Sequence, residues 1–324
     1  MKTILVTGGA GYIGSIVSRR LLEKGYHVLI YDNLSRGHRQ SIPSQAQFVE
    51  GDIADERKVN KLLQDYSIDG VIHFAAYAYV GESVEDPALY FENNLRKSMS
   101  FLECLKNNHV KKMVFSSSCA TYGDVHEIPI HEGVRQAPIN PYGLTKYLFE
   151  KALQVYDEAF GIKYVALRYF NAAGAAYGVG EDHKPETHLI PLALHAALGK
   201  REGVSIYGTD YETEDGTCVR DYVHVLDLAD AHILALESLE NGRSGVYNLG
   251  SEKGYSVREI IKVCKEVTGK DFTVHESARR EGDPPVLVAS SVKIKNELGW
   301  KAQYRIKDII RSAWEWHLAH PGGY

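Results

Sequence analysis

Tyr142 and Lys146 stand four residues apart in Pro-Tyr-Gly-Leu-Thr-Lys, at the start of a stretch with helical apolar spacing, so their side chains share one helical face. A phenol ordinarily loses its proton near pH 10 and is a poor base at neutrality. A neighbouring ammonium and the positive charge of a bound nicotinamide both favour the phenolate, which is how such a pair becomes a general base. YxxxK alone is common on surface helices, so its meaning depends on whether the chain also binds a dinucleotide. Upstream, Phe115-Ser-Ser-Ser-Cys-Ala-Thr-Tyr-Gly123 closes an apolar run. The carboxyl ends of strands are where open α/β sheets gather ligands, and a serine there can hold a substrate oxygen near the tyrosine.

The dinucleotide signal lies at the other end of the first half. Thr7-Gly-Gly-Ala-Gly-Tyr-Ile-Gly14 follows an apolar run directly and opens an amphipathic helix. Gly8, Gly11 and Gly14 let backbone N–H groups come close to a pyrophosphate, and the helix that follows presents free N–H groups and a partial positive charge. Asp32 ends the second apolar run, eighteen residues after Gly14. A carboxylate there accepts hydrogen bonds from an adenosine ribose and repels a 2′-phosphate, which favours NAD over NADP. Arg36 and Arg39 read as solvated or pyrophosphate-facing.

Positioning these groups requires alternating strands and helices. Short β-branched runs at Thr3–Thr7, His27–Tyr31, Gln47–Val49, Gly70–Phe74, Lys112–Ser116 and Tyr164–Tyr169 alternate with helical patterns at Ile13–Lys24, Glu56–Tyr66, Leu89–Asn107 and Tyr142–Phe160. The runs are apolar on both faces, as central parallel strands are. The expected fold is α/β, a doubly wound parallel (Rossmann) sheet with a second, smaller α/β substrate-binding domain. We place the NAD-binding domain at 1–175 and the smaller one at 176–324, with part of 219–250 a candidate to return to the first. In the smaller domain Ser205–Tyr207 reads as a strand, and Val257–Thr268 and Ile306–His317 as helices.

Of 324 residues, 44% are hydrophobic and 24% charged, enough for a large core. Thirty-seven basic against 42 acidic side chains leave a net charge of −5 with no long one-sign block, so no nucleic-acid partner is expected. No apolar window is long enough to cross a membrane, and the glycine turn comes too early for a secretory signal. Cys104, Cys119, Cys218 and Cys264 form no CxxC pair, which suits a reducing cytoplasm. There is no HExxH, and the acidic run Asp210, Glu212, Glu214, Asp215 lacks EF-hand spacing, so no metal is expected. His73 reads as a satisfied strand-end residue and Cys119 as packing.

Taken together, TGGAGYIG, VEGDI, VIHFAA, VGES, SSSCATYG, PYGLTK, LRYFNAAG, TEDGTCVRDYVHVLDLADAH, YNLG, RREGDPP and the closing HPGGY resemble the extended short-chain dehydrogenase/reductase family over essentially the whole chain. GxxGxxG and YxxxK belong to the family at large; TEDGTCVRDY and RREGDPP mark its nucleotide-sugar members. The resemblance implies an NAD-dependent isomerase that interconverts UDP-glucose and UDP-galactose. C4 passes a hydride to tightly bound NAD, the flat 4-keto sugar rotates, and the hydride returns to the opposite face. It also implies a homodimer paired through the Leu89–Asn107 and Tyr142–Phe160 helices.

Position by position, the resemblance puts Gly8, Gly11, Tyr12, Ile13, Gly14, Asp32, Asn33, Asp52, Ile53, Phe74, Ala75, Ala76, Asn93, Tyr142, Lys146 and Phe170 around NAD, with Asp52 and Ile53 at the adenine. Ser118 and Tyr142 become the hydroxyl pair at O4 of the sugar, and Lys146 the third catalytic group. Asn171, His188, Leu189, Tyr207, Arg220, Arg280, Asp283 and Leu287 would bind the UDP-sugar, with Tyr207 near the uracil and the two arginines on the diphosphate. A guanidinium fork suits phosphate oxygens. The chain departs from the family at Ala78, where relatives often carry lysine, and at His188, where asparagine is frequent. Leu287 stands where tyrosine or cysteine separates substrate classes, so a 4-epimerase acting on a UDP-N-acetylhexosamine or a UDP-pentose is the alternative.

Overall fold

The computed structural model describes residues 1–280 and 283–324, so Glu281 and Gly282 of the RREGDPP motif lie outside the described residues. Strands β1 (Thr3–Thr7), β2 (His27–Asp32), β3 (Gln47–Glu50), β4 (Gly70–His73), β5 (Lys112–Ser118) and β6 (Lys163–Tyr169) fall where the apolar runs predict them, within two residues at each end. Further along come β7 (Asn171–Ala173), β8 (Gly203–Tyr207), β9 (Val219–His224) and β10 (Gly245–Leu249), then β11 (Gly254–Ser256), β12 (Thr273–Ser277) and β13 (Val286–Leu287). The main sheet has the order β10-β6-β5-β4-β1-β2-β3, every pairing parallel. Its order reverses between β1 and β4, so their carboxyl ends open the crevice where α/β sheets take ligands.

Alternation along the strands builds two cores, one on each face. Ile4, Val6, Val28, Ile30, Ile72 and Val114 meet Ile16, Val17 and Leu21 of the helix Tyr12–Glu23 and Leu228 and Ile233 of the helix Val225–Ser238. Their neighbours Leu5, Leu29, Val71, Met113 and Phe115 point the other way, onto Val59, Leu62, Phe101, Leu105, Phe149 and Leu153. The period of two in each strand places both sets without further instruction. The segment 225–249 supplies a helix and the edge strand β10 to this sheet. The remaining strands form a four-stranded sheet, in which β9 pairs β7, β11 and β13, and the two-stranded β8–β12 ribbon. Ile190, Leu194, Ile260, Ile306 and Ile310 bury that unit's helices against one another.

One helix departs from the sequence pattern. In place of a uniform helix over Leu89–Asn107, a short helix Pro87–Tyr90 runs into a π-helical segment Phe91–Arg96 and then the helix Lys97–Asn107. The widened turn carries two buried asparagines. Asn94 is tied to the backbone of Tyr77, whose N–H donates to Oδ1 at 2.8 Å and whose carbonyl accepts from Nδ2 at 2.9 Å. Apolar periodicity cannot register these polar ties, and π turns of this kind cluster at functional sites. Among the described residues no helix is long and apolar enough to cross a membrane.

Burial also makes the fold acid-sensitive. Loss of hydration pushes His73 down to about 3 and His224, His232 and His317 to about 4. The unfolded chain takes up these protons as pH falls through about 6.5, while the folded chain refuses them until far lower. The contribution is therefore whole above pH 6.5 and is lost between there and about 4. Thermal melts are expected to hold steady from pH 8 to 7 and to fall progressively below 6.5. In His232→Gln the slope should flatten by about one proton; an unchanged slope would remove His232 from the set.

Candidate active site

The two chemical motifs converge on one cavity of about 440 Å³ at the carboxyl ends of the central strands. On one side lies the turn after β1. Gly8 has φ +73°, and a Cβ there would stand 2.5 Å from the backbone nitrogen of Ala75; at Gly14 a Cβ would strike the Gly8 carbonyl oxygen. Only glycine leaves this cradle open. The Asp32 carboxylate closes its far end, accepting the N–H of Ala10 at 2.9 Å and of Leu34 at 2.8 Å while still facing the cavity. Asp52 holds Lys97 at 2.7 Å and accepts from Asn33 at 2.9 Å. An open glycine turn, a helix N-terminus and a terminal carboxylate fit the pyrophosphate and ribose of NAD. Arg36 lies over the rings of Tyr77 and Tyr79 at 4.8 and 5.0 Å and pairs with Glu82 at 2.6 Å, whereas Arg39 is exposed and pairs with Glu50.

Tyr142, Ser118 and Lys146 form the other wall. Asn140 caps the helix Pro141–Phe160 by accepting the Gly143 N–H at 2.8 Å, with Pro141 in the first turn, so Tyr142 enters the cavity from the helix start. A Cβ on Gly143 would strike the Ala120 carbonyl, so glycine lets this turn lie against the end of β5. Burial pushes the Tyr142 phenol up to about 12, and the Ser118 hydroxyl eases it the other way. Lys146 donates to the Ser116 carbonyl at 2.7 Å and lies over the Phe115 ring at 4.9 Å. Desolvation lowers its ammonium to about 7, against the pull of Glu150 one turn further along the helix. The spacing predicts that Lys146 draws the phenol's pKa down, but burial governs both groups here and the lysine's first partner is a carbonyl. The nicotinamide's positive charge is the remaining source of that stabilisation.

Beneath this wall lies a buried ion pair. Arg168 and Glu150 are 5% and 4% exposed and meet at 2.6 Å. Glu150 also accepts from Ser117 and Gln136, and Arg168 donates to the Tyr122 hydroxyl at 2.9 Å. His73 is hydrogen-bonded at both ring nitrogens, to Thr7 at 2.7 Å and Ser98 at 3.0 Å. Cys119 lines the cavity with its thiol pushed up to about 12 by burial, which keeps it protonated.

Of the residues singled out from the sequence, Gly8, Gly11, Tyr12, Ile13, Gly14, Asp32, Asn33, Asp52, Ile53, Phe74, Ala75, Ala76, Asn93 and Phe170 line this cavity with the catalytic trio. So do Asn171, His188, Arg220, Asp283 and Leu287. Arg220 is 3.4 Å from Asp283. Three candidates stand off its wall: Leu189 packs into the small unit's core, and Arg280 covers the exposed ring of Tyr207 at 3.8 Å. The acidic run orders its own loop, with Asp210 paired to Arg279 at 2.7 Å and Asp215 accepting from Thr217 and Ser256. Sequence reasoning missed Tyr79, Tyr169, Glu181 and His183, all on the cavity wall. Tyr169 sits inside LRYFNAAG, and Glu181 and His183 open the spacing ExHxxExH, which was the signal available for them; Tyr79 carries no such signal, and only the fold reveals it.

The profile of the NAD dependent epimerase/dehydratase family matches residues 4–250. The UDP-glucose 4-epimerase of Halalkalibacterium halodurans is 51% identical over 325 residues, covering 99% of this chain and 97% of its own. Among solved structures, the UDP-glucose 4-epimerase from Brucella ovis in complex with NAD superposes with a TM-score of 0.94 at 48% identity, over 97% of this chain and 98% of its own. The enzyme from Bifidobacterium longum in complex with NAD+ and UDP gives 0.95 at 38% identity, over the whole of both chains. With its glycine turn and its Tyr-Lys helix on facing walls of one crevice, the chain belongs to the NAD dependent epimerase/dehydratase family.

Proposed function

We propose that this protein is an NAD-dependent UDP-glucose 4-epimerase, interconverting UDP-glucose and UDP-galactose. The observation that carries the reading is the placement of Tyr142, Ser118 and Lys146 opposite the Gly8–Gly14 cradle in one cavity that also holds Arg220 and Asp283. NAD, when bound, supplies reversible oxidation at C4 of the sugar. Tyr142 takes the O4 proton as the carbonyl forms and gives it back when the alcohol is restored, while Ser118 holds the same oxygen. Lys146 is fixed by the Ser116 carbonyl, with its Nζ 5.9 Å from the centroid of the Tyr142 ring. Arg220 grips the diphosphate as a fork, so the nucleotide stays anchored while the flat 4-keto hexose turns over.

Purified protein should convert UDP-galactose to UDP-glucose without added NAD and without accumulating NADH. Its denatured supernatant should contain about one nicotinamide dinucleotide per chain, because a cofactor restored in every turnover has no need to leave. Net NADH production, or protein that comes empty and needs NAD in excess, would point to an ordinary dehydrogenase. Parallel incubations with UDP-N-acetylglucosamine and a UDP-pentose read the substrate range directly.

We further propose a cytoplasmic homodimer. Leu95, Met99, Leu148 and Tyr156 are only part-buried along the helical stretches 91–107 and 141–160, and Val155 and Phe160 are 57% and 43% exposed. Apolar side chains gathered in this way suit a helix-to-helix interface. Light scattering at micromolar concentration should return twice the mass of the chain; a single-chain mass would overturn the assembly. The four cysteines are unpaired, in keeping with a reducing compartment.

A further inference from the structure

The loop between β7 and the helix Leu189–Ala197 brings together four side chains that the epimerisation chemistry does not call upon as a group. Glu181, His183, Glu186 and His188 each offer one nitrogen or oxygen, and these four atoms lie within 4.8 Å of one another. The His188 Nδ1 is 2.8 Å from Glu181 Oε1 and 3.0 Å from Glu186 Oε1. The His183 Nδ1 is 3.2 Å from Glu181 Oε1 and 3.8 Å from Glu186 Oε2.

Two of these atoms lack a well-directed hydrogen bond, the 3.2 Å approach of His183 Nδ1 to Glu181 Oε1 included. Four buried side-chain N or O atoms lack a hydrogen-bond partner among the described residues, and His183 Nδ1 and Glu186 Oε2 are two of them. The Glu186 side chain is only 7% exposed. Its Oε1 is taken by the backbone N–H groups of Thr187 at 2.7 Å and His188 at 2.8 Å, which turns the bare Oε2 into the cluster. Native proteins rarely bury such atoms without a partner, so each one asks for a missing group. The facing pair stands too far apart for a hydrogen bond. It is well spaced for two ligands of one ion, since metal–nitrogen and metal–oxygen bonds of about 2.1 Å at tetrahedral angles put ligand atoms about 3.4 Å apart.

The chemistry of the set narrows the ion. Two imidazoles and two carboxylates neutralise a divalent charge, and imidazole favours first-row transition ions over magnesium or calcium. The scaffold is already held in place: the Gly180 N–H donates to the Tyr324 hydroxyl, Asp182 accepts from the Tyr324 N–H at 3.1 Å, and the Asp182 carbonyl meets His38 Nε2 at 2.9 Å. We propose that Glu181, His183, Glu186 and His188 form a binding site for one divalent transition-metal ion, zinc by preference, which fastens the 180–188 loop to the cavity wall. The ligands follow the spacing ExHxxExH in a loop, not the helical HExxH. The expectation of no metal, which rested on the absence of HExxH, does not reach them.

The test is a titration of the chelator-treated, NAD-containing protein with Zn2+ and, separately, Mg2+, followed by cobalt substitution read in the visible spectrum. One zinc per chain is expected, with Mg2+ failing to compete at equal concentration and Co2+ giving the absorption of a four-coordinate site. Glu186→Gln keeps the acceptor for the Thr187 and His188 N–H groups but removes the charge, so zinc affinity should fall at least about tenfold and the cobalt bands should vanish. His183→Gln serves as a second variant should the first fold poorly, and circular dichroism with bound-NAD content checks folding in both. His320→Gln, changing a histidine outside the cluster, should bind zinc as the parent does. No stoichiometric zinc, equal binding of Mg2+, or zinc binding untouched in both cluster variants would overturn the proposal.

Discussion

Tyr142→Phe is expected to keep the fold and the bound NAD while turnover of UDP-galactose falls by about a hundredfold or more, the usual yield of general acid–base catalysis. The change deletes one oxygen and leaves the ring, which meets Tyr90 edge-on at 6.4 Å between centroids. The deleted oxygen is the one that meets the Ser118 hydroxyl, so the proton from O4 loses its acceptor. Burial alone holds the phenol up at about 12, so catalysis depends on positive charge supplied around it, and the rate of the parent should rise with pH as the phenolate is populated. Steady-state kinetics, together with the nicotinamide content of denatured samples, check the prediction. Near-normal turnover would remove Tyr142 from the base's role. A loss matched by a loss of NAD would assign it to cofactor retention instead.

Glu150→Gln carries the second large effect, on stability. The Glu150–Arg168 pair lies under the catalytic helix with both side chains at least 95% buried, and removing one charge leaves the other uncompensated in a medium that solvates it poorly. Such a loss costs about 3–5 kcal/mol. Glutamine keeps one acceptor oxygen and turns the other into an N–H donor among the donors Ser117, Gln136 and Arg168, so the experiment reads the lost charge together with that mismatch. A denaturant midpoint lowered with an unchanged slope is expected. Glu150 is also the one group that raises the Lys146 ammonium, so in this variant the lysine should fall below its already lowered value of about 7 and be neutral over more of the working range. A stability loss below about 1 kcal/mol, read from midpoint and slope, would show that the pair is balanced by other dipoles.

Local chemistry explains what could be read from the chain alone. The Gly8–Gly14 turn requires a positive φ and an open Cβ position within a few residues of a strand, and the requirement is written in the residue types themselves. The strands β1 to β6 were legible because each is apolar on both faces, and the catalytic helix because Pro141 opens a stretch of helical apolar spacing. Tyr142 and Lys146 share a face by helical arithmetic alone. Resemblance extended this to a roll of site residues, most of which the fold does gather on one wall.

Other features depend on approach between distant segments, which no local pattern encodes. The strand β10 comes back to the sheet across 75 residues of intervening chain after β6, because its apolar face finds room beside β6. The π segment at Phe91–Arg96 exists because Asn94 bonds the backbone of Tyr77, a contact between polar groups that periodicity cannot see. Lys146 turns to the Ser116 carbonyl because a buried ammonium takes the nearest acceptor, and that acceptor belongs to β5. Tyr207 and Arg280 stack on each other off the cavity wall. Residue types and short spacings therefore determined which groups could do chemistry and which helix or strand would carry them. Only the tertiary structure decided which of those groups are dehydrated together, because burial and distance are set by the packing of the whole chain.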